Sequence, residues 1–225
     1  MANLSRLESG TASRILDVAE RLVQLRGFNG FSYADVAAEL GITKPALHYH
    51  FSSKASLGEA LLARYTENFT QALNHLDSSG ASAPAKLAGY AALYAEVLRQ
   101  RRMCLCGMLA AEYQTLPVAM QQAVVEFFDR NETWLAAVLE QGRAQGSLAF
   151  TGSPNDTARL IVSCLEGAML LARPMNDTAA FHSASARLVA SLLPPGAEQP
   201  DVASRRGAVR RRRAPASERP RRGLA

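Results

Sequence analysis

The chain has 225 residues, of which 48% are hydrophobic and 20% charged, so it can bury one large hydrophobic core or two modest ones. It contains no run of about 18 apolar residues and no secretory signal pattern, so we expect a cytoplasmic protein without a membrane partner. Its net charge is +5, but residues 196–225 contain nine arginines and three acidic residues, which leaves −1 on residues 1–195 and makes the overall charge poor evidence for a basic binding domain.

Apolar residues recur at helical spacing along nearly the whole chain, and no segment shows sustained period-two alternation. The pattern predicts an all-α fold with about nine helices. The first helix is predicted over residues 11–27. The second begins at the N-cap Ser32, whose hydroxyl pairs with Asp35 in a pattern like a capping box, and ends at Gly41. Thr43 caps the third helix, which contains a proline in its first turn, where a missing N–H is tolerated.

The second and third helices, joined by a short glycine-containing turn, have the proportions of a helix-turn-helix. Leu47 and Phe51 lie four residues apart, and we expect them to pack inward. The opposite face carries a lysine, a histidine and a tyrosine, which are groups that bind phosphates and base edges in a major groove. Lys54, at the start of the fourth helix, is predicted to offer its charge and a helix N-terminus to a phosphate. The predicted DNA-binding residues are Ser32, Tyr33, Thr43, Lys44, Pro45, His48, Tyr49, His50 and Lys54.

The alternative is that the three consecutive rings at residues 48–50 form an ordinary, partly buried helix surface. A metal site at these histidines is not expected, because residues two apart on a helix point about 200° away from each other. The same geometry argues against a metal site at Cys104 and Cys106. The three cysteines of the chain lie in apolar sequence, and we expect them to be small buried hydrophobic residues. No metal and no cofactor is therefore predicted.

The fourth helix is predicted to run from residue 53 to about residue 77, and the segment "SSGASAP" then breaks the pattern. Five further helices are predicted over residues 84–101, 103–115, 117–145, 154–173 and 177–193. The predicted organisation is a flexible N-terminus (1–10), a helix-turn-helix domain (11–53), a connecting helix (54–77), an effector-binding and dimerisation domain (78–195) and a disordered arginine-rich tail (196–225). The tail either adds non-specific affinity for nucleic acid or has no role.

The stretch "TASRILDVAERLVQLRGFNGFSYADVAAELGITKPALHYHFSSKASL" resembles the N-terminal DNA-binding domain of TetR-type repressors over nearly fifty residues. The matching features are the Gly-Phe after the first helix, the Asp-Val-Ala of the second, and the His-Phe-x-x-Lys junction before the fourth. The chain departs from the family pattern at His48, because the family usually has tyrosine directly after the recognition-helix leucine.

The segments "MCLCGMLAAEYQTLPVAMQQAVVEFF" and "CLEGAMLLAR" also resemble the C-terminal domains of multidrug-related regulators of the LmrA and YxaF kind. This resemblance implies a homodimer held by the last two long helices, and an effector cavity within the domain. The apolar stripes of those helices predict a dimer interface at Leu160, Ile161, Leu165, Ala168, Leu171, Leu188, Val189 and Leu192.

Effector-contacting residues are predicted more weakly, from residue type, since adaptable apolar and aromatic side chains suit a pocket but equally suit an ordinary core. Two glutamates join the set because a buried carboxylate in apolar surroundings needs a partner, which for at least one of them is either an effector or another subunit. The candidates are Met103, Met108, Glu112, Tyr113, Phe127, Phe128, Trp134, Glu166 and Met169.

Together these features favour a transcriptional repressor that binds a near-palindromic double-stranded DNA operator as a homodimer and is released by a small, largely apolar effector. One alternative is a helical enzyme or small-molecule carrier, although no Gly-rich phosphate loop or nucleophile motif supports it. Another is a non-specific nucleic-acid-binding protein that depends on the arginine-rich tail.

Overall fold

The computed structural model describes residues 2–196, with side chains from Gly10 onward, so the arginine-rich tail beyond Gly196 lies outside the described residues. Within this range the chain is all-helical, which confirms the predicted fold class. The helices are α1 (Ala2–Arg26), α2 (Tyr33–Leu40), α3 (Lys44–His50), α4 (Lys54–Ser78), α5 (Ala83–Arg99), α6 (Leu105–Ala111), α7 (Val118–Ala144), α8 (Pro154–Met175) and α9 (Thr178–Ala190), with a 3-10 turn at Tyr113–Thr115.

Local capping sets the limits of the two short helices in the N-terminal domain. Ser32 and Asp35 form the predicted capping box, in which the Ser32 N–H donates to the Asp35 carboxylate at 2.7 Å. Gly41 ends α2 with a φ of 64°, a left-handed conformation that costs little for glycine. The Thr43 hydroxyl accepts from the Ala46 N–H at 3.3 Å and starts α3. The turn between α2 and α3 is therefore specified by its own residues.

Helices α1, α2 and α3 enclose a small core, and α4 extends from it into the C-terminal domain. Ile15, Val36 and Leu47 are fully buried in this core. Helix α4 packs against α1 at one end and against α7 further along. One continuous helix therefore contacts both domains.

The C-terminal domain is a bundle in which α5, α7, α8 and α9 pack together, with aromatic rings filling the space between α4, α5 and α7. The ring of Phe69 lies 5.2 Å from the ring of Phe127 and 6.0 Å from that of Tyr90, centroid to centroid. Tyr90 in turn stacks on Trp134 at 5.8 Å. These residues give the domain an aromatic interior between the connecting helix and the rest of the bundle.

Several boundaries differ from those expected, including those of α1, α6 and α8 and the end of α9, which is at Ala190 rather than at residue 193. Helix α1 starts at Ala2 rather than at residue 11. Helix α6 ends at Ala111 and is followed by the 3-10 turn rather than continuing to residue 115. Helix α8 continues through Pro174 to Met175, because Pro174 lies in the last turn and Asn176 provides a left-handed C-cap.

The residues exposed on α8 are only partly those predicted for the dimer interface. Ile161, Leu165, Val189 and Leu192 are buried in the chain's own core and therefore cannot supply exposed interface area. Ala168 and Leu188 are half-buried. Leu160 and Leu171 are 55% and 68% exposed, as an interface requires. One further leucine and one methionine of α8 that were not predicted, Leu170 and Met175, are also exposed. The outward face of α8 is thus displaced from the stripe inferred from the sequence.

Candidate DNA-binding surface and effector domain

Helix α3 separates a buried face from an exposed one, as its sequence predicts. Leu47 is fully buried, whereas Tyr49 is 73% exposed. Lys44, Pro45 and His48 are also exposed. This short helix therefore presents a cation, an imidazole and a phenol to solvent while its leucine fixes it to the core.

Tyr33 and His48 form hydrogen bonds with the main chain at the C-terminal end of α3. The Tyr33 hydroxyl donates to the Phe51 carbonyl at 2.9 Å, and its ring lies 4.7 Å from the His48 ring. The His48 Nδ1–H donates to the Ser52 carbonyl at 3.1 Å. Burial raises the pKa of Tyr33 to about 12, so its hydroxyl stays protonated as the donor. These bonds fix the junction between α3 and α4.

The remaining predicted DNA-binding residues occupy the helix starts and the last turn of α3. Ser32 and Thr43 are exposed, but each hydroxyl is used as a helix cap. His50 is half-buried, and the Tyr49 ring lies with its edge toward it at 5.3 Å. Capping residues hold the N-terminal N–H groups of α2 and α3 in fixed positions, which is how helix starts bind phosphates in other proteins.

The Lys54 side chain is directed inward, which corrects the expectation that its charge faces a phosphate. Its ammonium donates to the Phe31 carbonyl at 2.6 Å and lies 4.7 Å from the Phe28 ring centroid and 4.5 Å from that of Phe31. Burial lowers the pKa of Lys54, while the nearby carboxylates of Glu112 and Asp35 act in the opposite direction. Lys54 therefore holds the α1–α2 loop against the start of α4.

The two domains are joined by a carboxylate that sequence reasoning placed in the effector site. Glu112, at the end of α6, accepts from the Phe28 N–H at 2.5 Å and from the Asn29 N–H at 3.3 Å. The Asn29 side-chain amide donates to the Thr115 hydroxyl at 2.7 Å. Gly27 has a φ of 83°, and a Cβ at this position would lie 2.5 Å from a Glu112 oxygen. Glu112 is thus a contact between domains, and its carboxylate has its partners within the chain.

Two further contacts reach the carbonyl groups at the end of α1, which a helix leaves without intrahelical partners. The Met103 N–H donates to the Gln24 carbonyl at 3.2 Å, and the Arg173 guanidinium of α8 donates to the Leu25 carbonyl at 2.6 Å. Arg173 also lies 3.7 Å from the Met108 sulfur. The loop before α6, α6 itself and the end of α8 therefore all contact the C-terminal end of α1. We refer to the contacts of Glu112, Met103 and Arg173 with residues 24–29 as the domain junction.

One crevice in the C-terminal domain adjoins the aromatic cluster. Its accessible volume is only about 10 Å³, and its lining consists of Tyr65, Phe69, Leu93, Tyr94, Val97, Cys104 and Met169. Met169 is the one lining residue among the predicted effector contacts. The tyrosines and Phe69 belong to α4 and α5, and none of them was among the predicted effector contacts, because helical spacing does not distinguish pocket residues from core residues.

The other predicted effector residues lie outside this crevice. Phe127 is buried within the aromatic cluster, and Phe128 packs against its ring at 5.4 Å. The Trp134 indole N–H donates to Asp77 at 2.8 Å. Tyr113 is half-buried and its carbonyl accepts from the Gln121 side chain at 3.0 Å. Met103 and Met108 belong to the domain junction described above.

Glu166 is directed into the domain from α8. Its Oε1 atom is buried and has no hydrogen-bond partner among the described residues. Its Oε2 atom would lie 2.3 Å from a Cβ placed on Gly107, so a larger residue there would require the carboxylate to shift. Burial raises the pKa of Glu166 to about 7, and a hydrogen bond from the Cys104 thiol acts in the opposite direction. Burial also raises the pKa of the Cys104 and Cys106 thiols, both of which are buried, whereas Cys164 is exposed.

The described residues contain no group of three or more His, Cys, Asp or Glu side chains positioned to hold a metal ion. None of the helices between residues 2 and 196 combines the length and apolarity that a bilayer crossing requires.

Comparison with known proteins identifies both domains. The profile of bacterial regulatory proteins of the tetR family matches residues 15–61, and that of the tetracyclin repressor-like C-terminal domain matches residues 83–188. The crystal structure of a TetR-family transcriptional regulator from Agrobacterium tumefaciens is 30% identical, with a TM-score of 0.80 over 83% of this chain and 100% of that one. A TetR regulator from Legionella pneumophila is 32% identical, with a TM-score of 0.73 over 80% and 95% of the respective chains. The transcriptional repressor NemR of Escherichia coli (strain K12) is 28% identical over 173 residues, which are 74% of this chain and 85% of NemR. The chain belongs to the TetR family and is a DNA-binding transcriptional regulator, not an enzyme.

Proposed function

We propose that this regulator is a homodimeric repressor that binds a near-palindromic operator and is released by a small, largely apolar effector in its C-terminal domain. The observation that carries the proposal is the division of α3 into a fully buried side, at Leu47, and a side on which Tyr49 is 73% exposed. A helix fixed in this way holds its polar side chains in one geometry, and a fixed geometry is what base recognition requires.

The exposed face of α8 supports a dimer. Leu160, Leu170, Leu171 and Met175 are 55%, 63%, 68% and 75% exposed. The last three lie on the final two turns of α8, and Leu160 lies about three turns before Leu171 on the same side of the helix. Large apolar side chains exposed along one side of a helix are typical of an interface. A second copy of the chain is the proposed partner, because a two-fold interface places the same patch of both copies in contact. Such a dimer would direct two α3 helices at half-sites about 34 Å apart or a multiple of that distance.

The domain junction supports release by an effector. Helices α6 and α8 contact the end of α1 through Glu112 and Arg173, and α8 also carries Met169, which lines the crevice. A ligand that displaces α8 or the loop before α6 therefore displaces the N-terminal domain as well. If the ligand binds better to the geometry that does not fit the operator, thermodynamic linkage requires DNA to weaken ligand binding by the same factor.

The DNA-binding part is tested by selecting fragments bound by the full chain from genomic DNA and measuring affinity for the recovered operator at fixed salt by fluorescence anisotropy. Tyr49→Ala and Lys44→Ala are expected to weaken operator binding by about tenfold or more, which corresponds to one lost base or phosphate contact. Gln122→Ala, an exposed change on α7, serves as the control. If both α3 variants bind the operator as tightly as the wild type, the assignment of the contact face is wrong.

The dimer is tested by sedimentation. Leu171→Glu places a charge on the proposed interface and is expected to produce monomers that bind half-sites weakly. Val125→Glu is the matched control, because Val125 is 54% exposed on α7, outside that face. A Leu171→Glu protein that remains dimeric would contradict the proposed interface.

A further inference from the structure

Glu166 has an unusual environment for a carboxylate. Its Oε1 atom is buried without a hydrogen-bond partner among residues 10–196, and Oε2 is held against Gly107. Leaving such an acceptor unpaired is costly, so a buried carboxylate normally has a donor or a cation beside it. The Cys104 thiol acts to lower the pKa of Glu166, but a thiol is a weak hydrogen-bond donor. The structure therefore leaves part of the acceptor capacity of Glu166 unused.

The crevice described above adjoins this carboxylate. Cys104 lines the crevice, and Gly107, three residues after it, lies beside the Glu166 carboxylate. Met169, which also lines the crevice, lies three residues after Glu166 on the same face of α8. Three aromatic rings, those of Tyr65, Phe69 and Tyr94, make up much of the lining, which includes no Lys, Arg or His. Aromatic faces together with a carboxylate form an environment that attracts a positive charge on an otherwise apolar molecule.

In the described conformation the crevice admits at most about one water molecule. A ligand therefore has to separate the rings of α4 and α5 from α8. Tyr65 and Phe69 lie on α4, the helix that begins at the α3 junction, so this separation acts on the element that connects the crevice to the DNA-binding domain.

We infer that the effector of this regulator is a small aromatic or aliphatic amine, bound as a cation, with Glu166 as its counter-charge and the rings of Tyr65, Phe69 and Tyr94 around its apolar part. This inference rests on the proposed function and specifies the ligand class. The cation supplies the positive partner that the buried Glu166 carboxylate lacks. Its binding stabilises the opened crevice.

The test uses the full chain and the fluorescence of Trp134, which is the only tryptophan and stacks on Tyr90 next to the crevice. The protein is titrated at pH 8 with 2-phenylethylamine and with 2-phenylethanol, which has a similar shape but carries no charge. The amine is expected to bind at least about tenfold more tightly than the alcohol. Glu166→Gln, which keeps the shape of the side chain, is expected to reduce this ratio to about one while changing alcohol binding little. Glu132→Gln removes a carboxylate whose partner is Arg159 at 3.3 Å, and it should retain the preference for the amine.

Equal binding of amine and alcohol by the wild type, absence of amine binding, or an unchanged preference in Glu166→Gln would each overturn the inference. Operator affinity is measured separately, with and without the amine. A protein that binds its operator but shows no preference for the amine disproves the ligand class and leaves the proposed repressor function intact. A protein that prefers the amine but recognises no operator disproves the repressor function instead.

Discussion

The domain junction gives the sharpest prediction, because one carboxylate bonds two backbone N–H groups 83 and 84 residues away. Glu112→Ala removes the acceptor of the Phe28 N–H, and Phe28 is only 5% exposed, so water does not readily replace the lost bond. An unsatisfied buried donor costs about 1–3 kcal/mol. The Asn29 N–H is more accessible and adds little. We expect the free energy of unfolding to fall by about 2 kcal/mol.

The decisive assay is hydrogen exchange of the Phe28 amide, read residue by residue. A loss of about 2 kcal/mol corresponds to roughly thirtyfold faster exchange, if this amide exchanges by local opening. Glu112→Gln keeps one acceptor oxygen and should have an intermediate effect. Glu126→Ala is the control, because Glu126 is exposed and its nearest ion-pair atom, on Arg130, is 4.0 Å away. Unchanged exchange at Phe28 in Glu112→Ala would show that the bond between the domains is not formed in solution.

Three further predictions concern stability. Leu47→Ala removes a fully buried side chain beneath α3 and should cost about 2–5 kcal/mol in chemical unfolding, whereas Tyr49→Ala should change stability by less than about 0.5 kcal/mol; equal effects would contradict the assigned orientation of α3. Lys54→Ala should destabilise the chain by about 1–2 kcal/mol in thermal unfolding, since the ammonium donates to the Phe31 carbonyl and lies over two rings. Unchanged stability would favour the outward orientation of Lys54 predicted from the sequence. The pKa of Glu166 in the native chain is raised from 4.5 to about 7, so between these pH values the native chain retains a proton that the unfolded chain releases. The free energy of unfolding therefore falls as pH rises through this window, by about 3 kcal/mol at most. Urea unfolding at pH 5 and pH 8 should show this decrease in the wild type and its loss in Glu166→Gln.

The N-terminal domain was predictable because its signals are local. Ser32 with Asp35, Gly41 and Thr43 each act within three or four residues of themselves, and each does in the structure what its sequence position indicates. The direction of Leu47 also follows from spacing alone, because a helix of two turns has only one face that can meet α1 and α2. Fold class and the exposed face of α3 therefore followed from the sequence.

The proposed interface on α8 was harder to predict, for a physical reason. This helix carries apolar residues on more than one face, one toward α7 and α9 of its own chain and another toward solvent. Hydrophobic periodicity shows that a face is to be buried, but it does not show whether the chain itself or a second copy buries it. Ile161 and Leu165 were therefore assigned to an interface although they belong to the chain's own core.

The contacts of the domain junction could not be predicted, because one partner in each is the main chain. A glutamate in apolar sequence indicates that some donor is needed, but a backbone N–H at Phe28 has no residue type by which it could be recognised. Gly27 illustrates the same point, since its sequence position indicates the end of α1, and its second role, leaving space for the Glu112 carboxylate, depends on a residue 85 positions later. Gly27→Ala should therefore be more harmful than the left-handed backbone alone explains, because the added methyl group would also displace Glu112 from the Phe28 N–H. The excess can be measured by making the same change in a Glu112→Ala background, where it should largely disappear; an undiminished effect there would mean that backbone conformation alone accounts for the glycine.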